Sequence, residues 1–176
     1  MQISIRKFCK EDIANKVKWI NDPKNNTYLH YDLPLEIEKT DIWFDNVKDR
    51  NDRYDGTILL DGVAVGLIGL LQIDRKKSMA EFYIALGEQS AKGKGVAKEA
   101  SRLMLEHAFV TLGLNKIYLY TEVDNLAAQA LFEKTGFKRK GLLKEHLIYN
   151  NRKVDRYFYE ITAEEFAVHT NNNTKN

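Results

Sequence analysis

One stretch of the chain organises the rest, and it reads Gln89-Ser90-Ala91-Lys92-Gly93-Lys94-Gly95-Val96-Ala97, then Lys98-Glu99-Ala100-Ser101-Arg102-Leu103-Met104-Leu105. An apolar strand pattern over 82–86 precedes it. A helix is predicted after the turn and ends before Gly113. One face of it is formed by residues at helical spacing, namely Val96, Ala100, Leu103, His107 and Val110. A glycine-rich turn before a helix leaves backbone N–H groups unpaired, and the helix dipole adds positive charge there. The stretch therefore predicts a phosphate-binding turn, with Lys92, Lys94 and Lys98 around the anion.

Two common phosphate-binding motifs fit this turn poorly. A P-loop needs four residues between its glycines and a Ser or Thr after its lysine, but five residues separate Gly87 from Gly93, and Gly95 stands in the hydroxyl position. A dinucleotide fingerprint needs a third glycine, and Lys98 occupies that position. The first motif is therefore excluded, and the second is weakly supported.

The segment from Lys92 to Ala97 resembles motif A of the GNAT acetyltransferases, Arg/Gln-x-x-Gly-x-Gly/Ala, with Lys92 in the Arg/Gln position. A second block resembles the later Asn-x-x-Ala…aromatic-x-x-x-Gly-Phe signature of the same superfamily. It reads Asn125-Leu126-Ala127-Ala128-Gln129-Ala130-Leu131-Phe132-Glu133-Lys134-Thr135-Gly136-Phe137. The blocks occur in family order and at family spacing. The chain is most similar in character to the group that acetylates spermidine, ribosomal-protein N-termini or nucleotide-linked amino sugars.

The composition is that of a globular protein without a dedicated nucleic-acid surface. The 176 residues are 44% hydrophobic and 30% charged, with a net charge of +2. The single Cys9 cannot form an internal disulfide, which favours a reducing cytoplasm. The four histidines are widely spaced, so no metal site is predicted. No signal-peptide pattern follows Met1, and the longest apolar run, 63–71, is too short for a bilayer, so no membrane association is expected.

The periodicity predicts elements in the order β-α-α-β-β-β-α-β-α-β-β. This is the order of the GNAT fold, so we expect an α/β (α+β) protein with a central mixed, mostly antiparallel, twisted sheet flanked by helices. Asp61-Gly62 between two apolar runs predicts a β-hairpin, and Asn150-Asn151 predicts the turn between the last two strands. The segment from Asn25 to Leu35 is predicted to be a loop. We expect a single acetyltransferase domain over 1–168. The polar, Asn-rich residues 169–176 are predicted to be a disordered tail. Thr162-Ala163-Glu164-Glu165 matches a capping box and predicts a terminal helical turn.

The resemblance implies that acetyl-CoA is the co-substrate and that no metal takes part. The expected contacts to the pyrophosphate come from the backbone of Lys92, Gly93, Lys94, Gly95, Val96 and Ala97. Those to the pantetheine arm come from the end of the preceding strand, Ile84, Ala85 and Leu86. Asn125 is expected to reach the coenzyme from the start of the later helix. A simple helix N-cap is the alternative for Asn125, and one side chain can serve both roles.

The resemblance also implies where the catalytic groups lie. An alkyl amine has a pKa of about 10 and must lose a proton before it attacks. Glu81 occupies the place where several family members have a base, although a surface carboxylate paired to a lysine is an equal alternative. Many members have a tyrosine in the later motif that acts as the acid, but this chain has Phe132 there, and phenylalanine cannot donate a proton. The resemblance still places Phe132 among the residues that contact the coenzyme. Either another side chain is the acid, for which the candidates are Tyr118, Tyr120 and Tyr149, or the thiolate takes its proton from the amine or from water.

The acceptor amine is less defined. Residues 32–55 carry eight carboxylates against four basic residues, which suits a polycation such as spermidine. An aromatic-rich set could instead stack on a sugar or nucleotide, and it comprises Trp19, Tyr28, His30, Tyr31 and Trp43. For Trp19 and Trp43, core packing is the favoured alternative. Residues 134–156 hold eight basic residues against two acidic ones, but without an aromatic–basic repeat a nucleic-acid partner is not expected. GNAT enzymes commonly form dimers through sheet edges, so a homodimer is compatible with the resemblance.

The favoured interpretation is an acetyl-CoA-dependent N-acetyltransferase that moves the acetyl group directly to a primary amine of a small molecule, of the polyamine or amino-sugar class. A protein N-terminal acetyltransferase of the ribosomal-protein type is the alternative within the enzyme class. A catalytically silent coenzyme-A-binding module is the alternative outside it. Phe132 keeps the silent module open, since it removes the usual acid.

Overall fold

The computed structural model describes residues 1–174, which form seven strands and six helices. The strands are β1 (Ile3–Lys7), β2 (Tyr54–Leu60), β3 (Val63–Asp74), β4 (Met79–Leu86), β5 (Lys116–Glu122), β6 (Lys138–Tyr149) and β7 (Arg152–Thr162). The helices are α1 (Ile13–Asn21), α2 (Pro23–Asn26), α3 (Ile37–Val47), α4 (Val96–Glu106), α5 (Leu126–Thr135) and α6 (Ala163–Thr174).

The strands form one sheet in the order β1-β2-β3-β4-β5-β7-β6. The β1–β2, β2–β3, β5–β7 and β6–β7 pairs are antiparallel, and β4–β5 is parallel. The predicted α/β class with a mixed, mostly antiparallel sheet is therefore confirmed. The chain packs as two compact units, Met1–Leu71 with Tyr83–Met104, and Gln72–Phe82 with the chain from Leu105 onward. The single domain over 1–168 stays a prediction.

In the first unit, apolar side chains of α1 form a core with neighbouring segments, comprising Phe8, Ile13, Trp19, Ile20 and Leu67. The predicted hairpin is present, because β2 and β3 meet at Asp61 and Gly62, both at positive φ (50° and 83°). Trp19 is 2% exposed, so its role in core packing is confirmed. A side chain at Gly87 would overlap the Trp19 ring, so glycine is required where the chain leaves β4.

In the second unit, the β6–β7 hairpin turns at Asn150 and Asn151, both at positive φ (51° and 61°), as the sequence predicts. The pairing shifts between Leu143 and Leu147, where Glu145 adopts φ 51° and its backbone N–H donates to Asp155 Oδ1 at 2.7 Å. This bulge changes which β6 side chains lie beside those of β7.

Three expectations about the elements were incomplete or wrong. Val110 is 74% exposed instead of facing the core, because a π-helical segment, His107–Thr111, rotates the helix face so that Ala108 and Phe109 are buried. The tail at 169–176 is not disordered throughout, since residues 169–174 belong to α6, while 175 and 176 lie outside the described residues. The predicted loop from Asn25 to Leu35 is helical at its start, because the short helix α2 begins with Pro23 at its first position and ends at Asn26.

The capping box at the start of α6 is confirmed. The Thr162 N–H donates to Glu165 Oε1 at 3.0 Å, and the Glu165 N–H donates to Thr162 Oγ1 at 3.1 Å. Helix α6 then continues to Thr174, and His169 Nε2 lies 3.1 Å from the Lys134 carbonyl oxygen. Local capping thus starts the helix, and contacts along its length extend it beyond the single turn that the sequence predicts.

Candidate active site

The predicted phosphate turn leads directly into α4. After β4 a short 3-10 helix, Gln89–Ala91, is followed by Lys92 in an extended conformation. Gly93 and Gly95 have φ of 75° and 80°, and a Cβ at either position would meet no atom within 4 Å. Positive φ favours glycine, and the open space allows a ligand to approach the backbone closely. The two glycines therefore have the conformation and surroundings of an anion-binding turn.

The backbone donors of this turn have no acceptor. Among the described residues, no hydrogen bond is made by the N–H groups of residues 93–98, whereas the Glu99 N–H donates to the Gly95 carbonyl at 3.1 Å and begins the helix ladder. Unpaired donors at a helix N-terminus attract an oxyanion, because the helix dipole places partial positive charge there. A pyrophosphate group fits this arrangement.

The lysines around the turn differ in their surroundings. The Lys92 ammonium donates to Asn25 Oδ1 at 2.7 Å, and the Asn25 amide in turn donates to the carbonyls of Trp19 and Gly87 at 3.0 Å each. Lys94 and Lys98 are exposed and make no ion pair within residues 1–174. Lys92 thus ties the turn to α2 through Asn25, and Lys94 and Lys98 are the cations left for an anion.

The residues expected to contact the pantetheine arm lie at the end of β4. Ile84, Ala85 and Leu86 are all half-buried, whereas Ala80 and Phe82 earlier in the strand are buried. Glu81 lies in the same strand, three residues before Ile84. One strand therefore carries the expected base and, further along, the expected coenzyme contacts.

Asn125 acts as the N-cap of α5, since its Oδ1 accepts the Ala128 N–H at 3.2 Å. Its amide nitrogen makes no hydrogen bond within the described part of the chain, so a coenzyme contact remains a prediction. Phe132 is 7% exposed and packs against Phe82, Phe137 and Tyr159 with ring centroids 5.8–6.3 Å apart. Phe132 is therefore part of an aromatic core, and its place among the coenzyme contacts is likewise untested.

Glu81 stands opposite Tyr118 in the parallel pairing of β4 and β5, at the last paired position. Within residues 1–174 no hydrogen bond or ion pair reaches the Glu81 carboxylate, so the alternative of a carboxylate paired to lysine is not observed. Burial raises the pKa of Glu81, and the positive charge of Arg156 offsets part of this rise. Burial raises the pKa of Tyr118 as well, and the Glu81 charge raises it further, so Tyr118 keeps its proton.

Arg156, whose charge acts on Glu81, contacts the rings of Tyr120 and His146. Its guanidinium is 4.8 Å from the Tyr120 ring centroid, and its Nη2 lies 2.9 Å from His146 Nδ1. Burial and then the Arg156 charge lower the pKa of His146, so the imidazole is neutral at pH 7 and its Nδ1 accepts from the guanidinium. The His146 ring also lies 4.8 Å from that of Tyr120.

Arg156 and His146 were not predicted from the sequence as residues of the site. Counting back from the Asn150-Asn151 turn pairs Leu147 with Val154, and a regular hairpin would continue this register. The bulge at Glu145 breaks it and brings His146 beside Arg156. An alternation pattern gives no signal for such a bulge, so the pair could not be found by spacing alone.

The acidic segment 32–55 is largely neutralised. Five of its eight carboxylates form ion pairs, and the pairs are Glu36–Lys39, Asp41–Lys10, Asp45–Lys48, Asp52–Arg50 and Asp55–Arg53. Asp32, Glu38 and Asp49 have no ion-pair partner among the described residues. The segment therefore presents less uncompensated negative charge than its composition suggests.

Neither a membrane span nor a metal cluster is present in the part of the chain that the structure describes. Within residues 1–174, no helix is long and apolar enough to span a membrane. In the same residues no group of three or more His, Cys, Asp or Glu side chains is placed to hold a metal ion. Location in the cytoplasm and the absence of a metal stay predictions.

Known proteins were compared with this sequence and structure. A family model described as acetyltransferase (GNAT) domain matches residues 2–138. The sequence is 26% identical to spermidine N(1)-acetyltransferase of Escherichia coli K12 over 155 residues, covering 85% of this chain and 80% of that protein. It is 30% identical to a putative ribosomal N-acetyltransferase of Bacillus subtilis over 155 residues, covering 85% and 79%.

The fold was also compared with solved structures. Spermidine N-acetyltransferase from Vibrio cholerae, in complex with CoA and spermine, superposes with a TM-score of 0.86 at 25% identity. The match covers 94% of this chain and 98% of that one. Sequence and fold thus give the same assignment.

Proposed function

The chain belongs to the GNAT acetyltransferase family, and we propose that it transfers the acetyl group of acetyl-CoA directly to a primary amine of a small molecule of the polyamine or amino-sugar class. Family membership makes it an N-acetyltransferase with acetyl-CoA as co-substrate. The proposal goes further in assigning the acceptor class and the roles of individual residues. The run of N–H groups at 93–98 that have no acceptor within residues 1–174 is the observation that carries the coenzyme assignment.

The turn supports the coenzyme assignment because it offers donors in the conformation that an oxyanion needs. Gly93 and Gly95 let the pyrophosphate approach the backbone, and Lys94 and Lys98 add positive charge. Ile84, Ala85 and Leu86 would position the pantetheine arm along β4. Acetyl-CoA supplies an acetyl group that is already activated as a thioester.

Glu81 is proposed to accept the proton of the amine. Its raised pKa makes it a stronger base than an exposed glutamate, and the Arg156 charge helps to keep it ionised near neutral pH. No other side chain of the described residues competes for its oxygens. A deprotonated carboxylate with free lone pairs is the form that can take up a proton from an ammonium group, directly or through water.

Tyr118 is the proposed proton donor to the departing sulfur, in place of the acid that Phe132 cannot provide. It lies opposite Glu81 in the strand register, and its raised pKa keeps its hydroxyl protonated. A coenzyme thiol has a pKa of about 8.5, so the departing sulfur needs only modest help. The register distinguishes Tyr118 from Tyr149, which is near the far end of β6.

The acceptor class rests on the relatives. Those named spermidine N(1)-acetyltransferase cover most of this chain, and the Vibrio cholerae structure contains spermine. The segment 32–55 supports a polycation less strongly than its composition does, because only Asp32, Glu38 and Asp49 have no ion-pair partner among the described residues. The 30% identity to a putative ribosomal N-acetyltransferase supports a protein N-terminus as the second candidate acceptor.

A thiol-release assay tests the proposal. Acetyl-CoA would be incubated with the full chain and spermidine, spermine, amino sugars or N-terminal peptides of ribosomal proteins in parallel. Release of CoA with a polyamine or an amino sugar would confirm the acceptor class, and release with the peptides alone would replace it by the second candidate. Tight acetyl-CoA binding without CoA release for any of the three acceptor classes would refute the assigned acceptor class.

A further inference from the structure

A pocket in the first unit is lined by none of the residues proposed to hold the coenzyme or to move a proton. It has a volume of about 360 Å³ and is bounded by α1, by the segment 31–36 and by α3. Its apolar lining includes Tyr31, Leu33, Leu35 and Trp43, and one buried charged side chain, Lys16, also lines it. A volume of this size is at the lower end of the range for small-molecule sites in proteins.

Lys16 is the unusual feature of this pocket. Its side chain is buried, with 8% of the residue exposed, and its ammonium makes no hydrogen bond or ion pair within residues 1–174. The Nζ atom lies 3.4 Å from the centroid of the Trp43 ring and 5.7 Å from that of Tyr31. Contact with ring faces recovers only part of the hydration that a buried ammonium loses. The charge therefore lacks a matched acceptor.

The acid nearest to Lys16 is already satisfied. Both oxygens of Asp55 accept from Arg53 at 2.8 Å, and the Tyr83 hydroxyl donates to Asp55 Oδ1 at 2.5 Å. Burial lowers the pKa of Lys16 to about 8; the Asp55 charge opposes this effect, and the Arg53 charge adds to it. Lys16 is thus largely charged at pH 7 without a carboxylate of its own.

The rim of the pocket limits the charge of an occupant. Asp32 and Glu36 line it and are exposed, and Glu36 pairs with Lys39 at 3.4 Å. The rim carboxylates would repel a multiply charged anion more than a singly charged one. Ring and aliphatic surfaces of Tyr31, Leu35 and Trp43 suit an apolar body.

We propose that this pocket binds a small organic monocarboxylate with an aromatic or aliphatic body, whose carboxylate pairs with the Lys16 ammonium. The carboxylate supplies the acceptor that the fold does not, and the body packs against Trp43 and Tyr31. Part of the segment 32–55 lines the pocket, as do Tyr31 and Trp43, which the sequence offers as candidates for acceptor binding. None of the residues proposed to hold the coenzyme or to move a proton lines it. Binding of a carboxylate can therefore be measured without acetyl-CoA or an amine, and its failure would leave the proposed acetyl transfer unaffected.

Calorimetric titration of the full chain tests the proposal with three probes that share one body: 4-phenylbutyrate, 4-phenylbutanamide and 4-phenylbutylamine. We expect saturable binding of the acid, and at least about 10-fold weaker binding of the amide and the amine, because only the acid forms the charged hydrogen bond. K16M should weaken binding of the acid by at least about 10-fold. K48M, at an exposed position outside the pocket lining, should change it by less than about twofold.

A pH series on the unmodified chain provides a test that needs no variant. Affinity for the acid should fall by about 10-fold or more from pH 7 to about pH 9.5 as Lys16 loses its proton, while that for the amide stays constant. The other ionisable groups that line the pocket are Tyr31, Asp32, Glu36 and Lys39, and the charges of Asp55 and Arg53 also act on Lys16. Burial raises the pKa of Tyr31, so its hydroxyl stays neutral over most of this range. K16R should remove the pH dependence, because arginine does not titrate there.

Several results would overturn the proposal. They are the absence of saturable 4-phenylbutyrate binding up to about 10 mM, equal affinity for acid and amide, a preference for the amine, and unchanged acid affinity in a folded K16M protein. If K16M fails to fold, the pH series and K16R decide the question by themselves.

Discussion

The phenol of Tyr118 and the carboxylate of Glu81 belong to directly paired residues of parallel strands, at the last position where β4 and β5 pair. The Glu81 charge contributes to the raised pKa of Tyr118, so the two side chains influence each other electrostatically. One group is suited to accept a proton and the other to keep one. This pairing distinguishes Tyr118 from the other tyrosines that the sequence left as candidate acids.

Tyr118→Phe should lower kcat about 10-fold or more while the KM for acetyl-CoA changes little, because it removes a proton donor and keeps the ring. Steady-state kinetics with the best acceptor measures this effect. Tyr149→Phe is the matched control and should leave kcat within about twofold. Equal losses in both variants would remove Tyr118 from the mechanism.

Glu81→Gln should lower kcat by about 100-fold with nearly unchanged affinity for acetyl-CoA, because an amide keeps the shape but cannot accept the proton. Glu145→Gln provides the control, since Glu145 is an exposed strand carboxylate paired with Lys153 at 3.6 Å. Stopped-flow turnover and equilibrium coenzyme binding separate the two quantities. Full activity of Glu81→Gln across the pH range would show that another base acts.

Arg156→Met should shift the acid limb of the pH–rate profile upward. A base acts when deprotonated, so the rate falls as pH drops through the Glu81 pKa, which burial raises above the ordinary glutamate value. Removal of the Arg156 charge removes the effect that lowers this pKa, and the limb moves to higher pH. Arg156→Lys keeps the charge and should leave the limb close to its original position. An unmoved limb in Arg156→Met would separate Arg156 from Glu81.

Gly95→Asp should weaken CoA binding by about 100-fold, because it places a carboxylate and a strained backbone where the phosphates are expected. Gly62→Asp is a close control: Gly62 also has positive φ (83°) and open space around it, but lies in the β2–β3 turn. Calorimetry with CoA compares the two. If both variants bind CoA equally well, the phosphate turn is misassigned.

Asp12 is expected to make folding stability depend on acid pH. Burial opposes its ionisation, but hydrogen bonds from Arg6, the Cys9 N–H and Thr57 outweigh this and lower the pKa of Asp12 to about 2. A carboxyl with a depressed pKa stabilises the folded state above its unfolded pKa of about 4, and this contribution of roughly 2 kcal/mol is lost as pH falls toward 2.

Asp12→Asn should therefore lower the free energy of unfolding by about 2 kcal/mol at pH 7 and flatten its dependence between about pH 4 and pH 2. Urea unfolding at a series of pH values measures both effects. Asp52→Asn removes an exposed carboxylate paired with Arg50 and should cost less than about 0.5 kcal/mol. An unchanged slope in Asp12→Asn would assign the acid sensitivity to other groups.

The parts that the sequence predicted correctly depend on neighbours along the chain. The glycines of the turn, the Asn150-Asn151 hairpin, the Thr162–Glu165 capping box and the Asn125 N-cap all involve residues within a few positions of each other. Such features follow from backbone conformational preference and short-range hydrogen bonds, which are readable from spacing. The exposed Val110 shows the limit, because one π-helical segment changes the face of a correctly predicted helix.

The sequence by itself determined the glycine-rich turn before α4, the order of the strands and of the longer helices, and the family, since periodicity and two motifs at fixed spacing carry them. Tertiary structure alone decided that Glu81 is paired with Tyr118 in adjacent strands and that a bulge places His146 beside Arg156. It also decided that the Lys16 ammonium is buried against Trp43 without a hydrogen bond or ion pair among the described residues. These contacts join residues far apart in the chain. Strand register and helix packing set them, and a shift of one residue in either would place different side chains together.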